Sequence, residues 1–307
     1  MASFRISLPA TSANLGAAFD SAAVALDFYL TVEAEPAESF SIAATGRNAD
    51  VCGRLDGNLI LDTYARLLQR EGRTVPPLAL RVDNQIPLGM GCGSSAAGRL
   101  AAVALAAHFG NLGWNDDTIL AEACALEGHP DNAAACWLGG MVVAADDRGP
   151  GARSGQVLAA RVDPPADWHV LIALPDTSLA TSEARAVLPT SYERADVVAN
   201  LQAASLLGLA FAQGRGELLK AAMQDRIHQP YRAAMCSLLP RLLPLAGVAG
   251  ILGVALSGAG PSVLLIVQAE EMTAAADLAQ AAVEGEGRVE ILQTRFASRG
   301  AAAGWER

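Results

Sequence analysis

Gly89, Gly91 and Gly93 alternate along the chain and run straight into Ser94 and Ser95, after which Ala, Leu and Val dominate as far as Phe109. No other stretch constrains the fold as much. It predicts a glycine loop that turns into the N-terminus of a buried helix over 94–109. The first turn of such a helix offers N–H groups without intrahelical partners and the positive end of the dipole, so loop and helix together form a cradle for phosphate. The alternative is a plain glycine-rich turn ahead of a core helix, and the paired serines weigh against it.

Lys220 is the only lysine, and 21 of the 22 basic residues are arginine. That excludes the G-x-x-x-x-G-K-[ST] loop and leaves no lysine on an N-terminal strand to act as the protein-kinase lysine does. A phosphotransferase made from this chain must use backbone amides, arginines and a metal. The net charge of −10 argues against nucleic acid as the main partner. The five cysteines have no C-x-x-C spacing and suggest neither a zinc site nor a disulfide framework. With 307 residues, 52% apolar and 18% charged, the chain is expected to fold as two domains divided around residue 160. No basic leader with an apolar core opens it and no stretch reads as a membrane span, so a cytoplasmic protein without a membrane partner is expected.

Periodicity predicts strands at Phe4–Leu8 and Ala22–Val32 with a polar loop between them, a helix over Asn58–Arg70 and a strand over Leu78–Val82. Helices follow at 94–109, at Asp116–Leu126 and from Gly128, then a strand at Met141–Ala145 and an exposed loop over Asp146–Gln156. Past the boundary come a strand at Trp168–Leu174, helices between Ser182 and Leu245, strands at Gly250–Leu256 and Val263–Val267, a helix over Glu270–Val283 and a strand at Val289–Gln293. The sum is an α+β protein with helices laid on sheet faces.

Three motifs share one resemblance. Pro87 to Ala97, with Gly91, Gly93, Ser94, Ser95 and Ala96, resembles the ATP-binding motif of the GHMP kinase superfamily of galactokinase, homoserine kinase, mevalonate kinase and phosphomevalonate kinase. Pro9 to Asp20 and Leu256 to Val263 resemble its N-terminal and C-terminal motifs. The stretches Glu127–Asn132, Thr181–Pro189 and Asp225–Arg232 are similar to the homoserine-kinase branch. This resemblance implies a two-domain GHMP kinase fold, with a ribosomal protein S5 domain 2-like N-terminal domain over residues 1–160 and a ferredoxin-like C-terminal domain over residues 161–307. It also implies phosphorylation of L-homoserine by ATP with Mg²⁺, within threonine biosynthesis, by a homodimer. Competing expectations are a GHMP kinase for another small alcohol, such as mevalonate, and a non-catalytic regulator that keeps the fold.

The resemblance assigns roles. Pro87, Gly89, Gly91, Gly93, Ser94, Ser95, Ala96, Gly258 and Gly260 would hold ATP, and Glu127 with Ser94 would hold Mg²⁺. Asn14, Asp20, His129, Arg185 and Arg232 would bind homoserine, because arginine presents a two-pronged donor to a carboxylate. Glu127, His129 and Asn132 are the expected catalytic residues. Asn132 stands where related kinases have an aspartate, so no carboxylate base is expected and Asn132 would orient the attacking hydroxyl; Asp131 is the rival, with helix capping as its other role. Ala17-Ala18, Cys92 and Ala133-Ala134-Ala135 depart from the common pattern, and none removes a proposed polar contact.

Overall fold

The computed structural model describes residues 4–147 and 156–305, so most of the loop expected over Asp146–Gln156 lies outside the described residues. The first sheet contains β1 (Phe4–Asn14), β2 (Ala18–Pro36), β3 (Ser41–Gly46), β4 (Leu78–Asn84), β5 (Met141–Asp146) and β6 (Val157–Val162). Its order is β3-β4-β2-β5-β6 with β1 paired to β2, and only the β3/β4 pairing is parallel.

The first two strands run further than their apolar alternation predicts. The expected polar loop is a tight turn at 15–17, and its flanks continue the ladder from Ala10↔Leu26 to Asn14↔Ala18. Thr11 and Ser12 in that stretch are fully buried with hydrogen-bonded hydroxyls, so their polarity marks a site rather than a loop. β3 and β6 escape the sequence because both are edge strands with mostly exposed side chains, and an exposed edge carries no apolar signature.

The Leu59–Arg70 helix begins where Asn58 accepts hydrogen bonds from the N–H groups of Ile60 and Leu61. The Ser94–Phe109 helix has the predicted bounds, and its residues Leu100–Ala107 are all buried, as suits a helix without a polar face. It packs with the Leu59–Arg70 helix and β1, while the Asp131–Leu138 helix covers β1 and β2. A continuous core of Ile6, Leu8, Val24, Leu26, Leu100 and Val103 lies between.

The second sheet comprises β7 (Trp168–Pro175), β8 (Ile251–Leu256), β9 (Val263–Gln268) and β10 (Val289–Thr294), all antiparallel in the order β10-β7-β9-β8. Strand, helices, two strands, helix and strand in that spatial order make the ferredoxin-like arrangement. Both faces of its central strands are buried. Val170, Ile172 and Leu174 join the core of the first domain, whereas Leu171 and Ala173 join a second core with Leu239, Leu242, Ala275 and Ala279. That two-sided burial is why the strand reads as one unbroken apolar run.

Two segments tie the halves together. β6 pairs with β5, so the chain leaves the first domain between Val162 and Trp168, and the last described residues return to it. Ala297 donates to Ala25 (2.9 Å), Gly140 to Ala297 (2.7 Å) and Asp27 to Arg295 (2.9 Å), while Trp305 meets Phe4 and Trp137 edge to face. The Arg194–Gln213 helix is long and apolar enough to cross a membrane by length and composition, although no membrane span is expected from the sequence. Asn200 is buried there, donating to the Ala17 carbonyl (2.6 Å) and accepting from the Arg226 N–H (3.0 Å), so this helix is bound to the domain junction through a polar contact.

Candidate active site

The glycine loop is fixed by close approach. Gly89, Gly91 and Gly93 all have positive φ, and a Cβ on Gly91 would stand 2.0 Å from the Ser257 carbonyl oxygen while one on Gly93 would stand 1.9 Å from Thr11 Oγ1. Only glycine admits that packing. Ser257 Oγ donates to the Gly91 carbonyl (2.8 Å) and lies 2.9 Å from Ser12 Oγ, and the Gly258 N–H donates to Ala13 (3.1 Å). The N-terminal motif, the glycine loop and the C-terminal glycine-rich motif therefore meet as one assembly.

Beside it opens a cavity of ≈ 390 Å³. One wall is apolar, with Val51, Leu59, Val82 and Ile86, and the glycine loop with Ser94, Ser95, Ala96 and Gly258 forms its middle. Asn14, Asp20, Glu127, His129, Arg185 and Arg232 gather at the other end. Of the residues predicted to hold nucleotide, Pro87 and Gly260 are buried outside this lining.

Glu127 ends the Asp116–Glu127 helix, where Gly128 takes a left-handed conformation and turns the chain. Its side chain is 7% exposed and accepts from Ser95 Oγ (2.8 Å) and Arg99 Nη1 (2.6 Å). Ser95 thus contacts Glu127 directly, and Ser94, the hydroxyl expected beside Glu127 at the metal, lines the same cavity. A carboxylate and hydroxyls of this kind are the hard oxygen donors that Mg²⁺ takes, so the residues present fit that ion. Arg99 went unnoticed in the sequence, although one helical turn separates it from Ser95 and puts both on one face.

At the polar end Arg185 and Asp20 form a two-pronged ion pair, Nη1 to Oδ2 at 3.0 Å and Nη2 to Oδ1 at 2.6 Å. Asp20 holds Arg185's pKa above its ordinary value by hydrogen bonding. Arg232 is 1% exposed and donates through Nε to the Ala184 carbonyl (2.9 Å). Burial, then the charge of Arg185, lowers its pKa, the mark of two cations sharing one site. Both guanidiniums lie over the Phe19 ring, at 5.5 and 5.4 Å from its centroid. Phe19 was inside the motif that ends at Asp20, yet an aromatic ring gives no polar signal of its own.

Asn14 bridges rather than stands free, donating to Gly258 (2.8 Å) and accepting from the Asp20 N–H (3.0 Å). Asn132 accepts from Thr11 Oγ1 (2.7 Å), and Asp131 Oδ1 accepts from the Asn132 N–H (2.6 Å) and contacts His129 Nδ1 (2.6 Å). Burial opposes charge on His129, but the hydrogen bond and charge of Asp131, aided by Asp20 and Glu127, raise its pKa. Asp20, His129 and Asp131 bring ligand atoms within 4.8 Å of one another, but each already serves a partner through the contacts above.

Comparison with known proteins identifies the family. The family models for the GHMP kinases N terminal domain and the GHMP kinases C terminal match residues 58–140 and 209–286. The homoserine kinase of Solibacter usitatus is 44% identical over 86% of this chain and 85% of its own length. That of Deinococcus radiodurans is 40% identical, covering 85% and 83%. The crystal structure of homoserine kinase from Cytophaga hutchinsonii superimposes with a TM-score of 0.80 at 23% identity over 97% of this chain and 96% of that one, a likeness of fold. By sequence and by architecture, the chain belongs to the homoserine kinase family of the GHMP kinases.

Proposed function

We propose that the chain transfers the γ-phosphoryl group of ATP to the side-chain hydroxyl of L-homoserine, giving O-phospho-L-homoserine for threonine biosynthesis. The observation that carries this reading is the convergence of the glycine loop and Glu127 with Asp20, Arg185 and Arg232 in a single cavity. Charges of both signs at one end suit an amino-acid zwitterion, and anion-seeking amides suit the phosphates. The curated relatives at 44% and 40% identity support the same substrate.

On this reading Arg185 divides its attention when substrate enters: the ammonium group takes Asp20, and the carboxylate takes Arg185 and Arg232. His129 and Asn14 complete the shell around homoserine. Glu127 with the hydroxyl of Ser95 or Ser94 would hold Mg²⁺, which supplies charge neutralisation across the phosphates. Asn132, steadied by Thr11, orients the attacking hydroxyl. As the new O–P bond forms, the bond from γ-phosphorus to the ADP oxygen breaks, and the hydroxyl proton passes late to the transferred phosphoryl group. No carboxylate base is invoked, since Asp131 Oδ1 serves His129 and the Asn132 backbone, and positioning can supply most of the acceleration of a dissociative transfer. The proposed working form is a cytoplasmic homodimer.

An ADP-release assay with Mg-ATP and L-homoserine, mevalonate, galactose, L-serine or L-threonine at matched concentrations tests this. Turnover with homoserine alone is expected. Preference for another alcohol would overturn the substrate assignment, and ATP binding without any turnover would point to a non-catalytic role.

A further inference from the structure

We propose that His228 is a positioning residue for Arg232, aiming its guanidinium at the substrate carboxylate through a fixed imidazole tautomer. The inference rests on the homoserine reading above, in which Arg232 receives that carboxylate.

His228 is fully buried, and two neighbours define its protons. Nε2 lies 2.8 Å from the Gly16 carbonyl oxygen, which only accepts, so Nε2 carries a hydrogen. Nδ1 lies 3.1 Å from Arg232 Nη1, which only donates, so Nδ1 is bare. The ring is therefore neutral, and burial lowers its pKa in the same sense. Asp225 Oδ2 stands 3.6 Å from Nε2, outside hydrogen-bond reach, and accepts instead from the backbone N–H groups of His228 (3.0 Å) and Gln229 (2.6 Å).

Arg232 is consequently held at two nitrogens, Nε by Ala184 and Nη1 by His228, which leaves Nη2 outside both contacts on a side chain that lines the cavity. The His228 ring also stacks on Phe19, with centroids 5.2 Å apart and planes 26° apart, the same ring over which both arginines lie. Gly16 belongs to the turn between β1 and β2, which is flanked by Asn14 and Asp20. One imidazole thus joins the arginine, the aromatic floor and the acidic turn, all at the amino-acid end of the cavity.

Two variants separate its two hydrogen bonds. His228→Asn keeps an acceptor near the Nδ1 position and loses the donor to Gly16; His228→Gln keeps a donor near the Nε2 position and loses the acceptor for Arg232. Both lose the stacked ring. The Michaelis constant for homoserine is expected to be about tenfold higher in His228→Gln than in His228→Asn, the size of one hydrogen bond to a charged group. The constant for ATP should stay within about twofold in both, and His228→Gln should add nothing further on an Arg232→Ala background. Equal homoserine constants in the two variants, or a matching rise for ATP, would overturn the proposal. Nitrogen NMR of the parent protein at pH 7 decides the geometry without any substrate or variant: a bare Nδ1 and protonated Nε2 are expected, and a charged ring or the opposite tautomer overturns it. A parent with no turnover on homoserine defeats the functional reading instead, and the NMR result then stands by itself.

Discussion

Arg232 has 1% of its surface exposed and yet lines the cavity, so its guanidinium has been stripped of water before any ligand arrives. Truncating a buried partner of a charge costs roughly 2–5 kcal/mol, and Arg232→Ala should therefore raise the homoserine Michaelis constant about thirtyfold or more with little change for ATP. Equal effects on both constants would remove its assigned role. Gly91→Ala places a methyl group 2.0 Å from a backbone oxygen at positive φ, and it should cost well over ~1 kcal/mol in a urea titration along with ATP binding. His129 carries a pH signature. Its folded pKa lies above 6.5, so its stabilising pair with Asp131 is complete below that value and fades as pH rises through the folded pKa. The melting temperature of the parent should exceed that of His129→Gln most at acid pH, with the gap closing as pH rises; a gap that widens would reverse the assignment. That Glu127, His129 and Asn132 line one cavity was legible through the resemblance of the Glu127–Asn132 stretch to a known pattern. Arg99 was not, because an arginine inside an apolar helix looks like surface; Phe19 and His228 fell inside the matched Pro9–Asp20 and Asp225–Arg232 stretches but without a role, because a ring beside an aspartate and a single histidine look like packing until the fold brings them together.

Among the elements, long buried ones declared themselves and edge strands did not. The Ser94–Phe109 helix was legible to the residue because a glycine ends the loop before it and another follows it, with nothing polar enough to break the run between. Leu100 is completely buried in that helix, and Leu100→Ala should lower stability by about 2–5 kcal/mol in chemical denaturation. Asn58, which lines the cavity, does double duty, since its Oδ1 accepts from Ile60 and Leu61 while its amide donates to the carbonyls of Cys52 (3.1 Å), also in the cavity lining, and Arg54 (3.0 Å). Asn58→Ala should therefore cost about 1–2 kcal/mol and also weaken ATP, a pairing that a purely structural cap would not show. β3 and β6 had no such signal, and the ladder past Leu8 was hidden because buried hydroxyls imitate loop chemistry when read along a line.

At the scale of the whole molecule, the domain boundary in the chain is not a boundary in the core. Alternate residues of β7 face opposite ways, so Val170 and Ile172 belong to the same apolar cluster as Val24 and Leu100. Both domains should therefore unfold together: variants retaining only Trp137 or only Trp168 as fluorophore are expected to give coincident urea transitions, and separated midpoints would contradict a shared core. The returning segment of residues 295–305 adds an order in time. Phe4, Ala25, Asp27 and Gly140 leave the ribosome well before their partners in residues 295–305, which lie more than 150 residues further along the chain. During synthesis the first domain waits with an unfinished seam until residues 295–305 have been made and can close it.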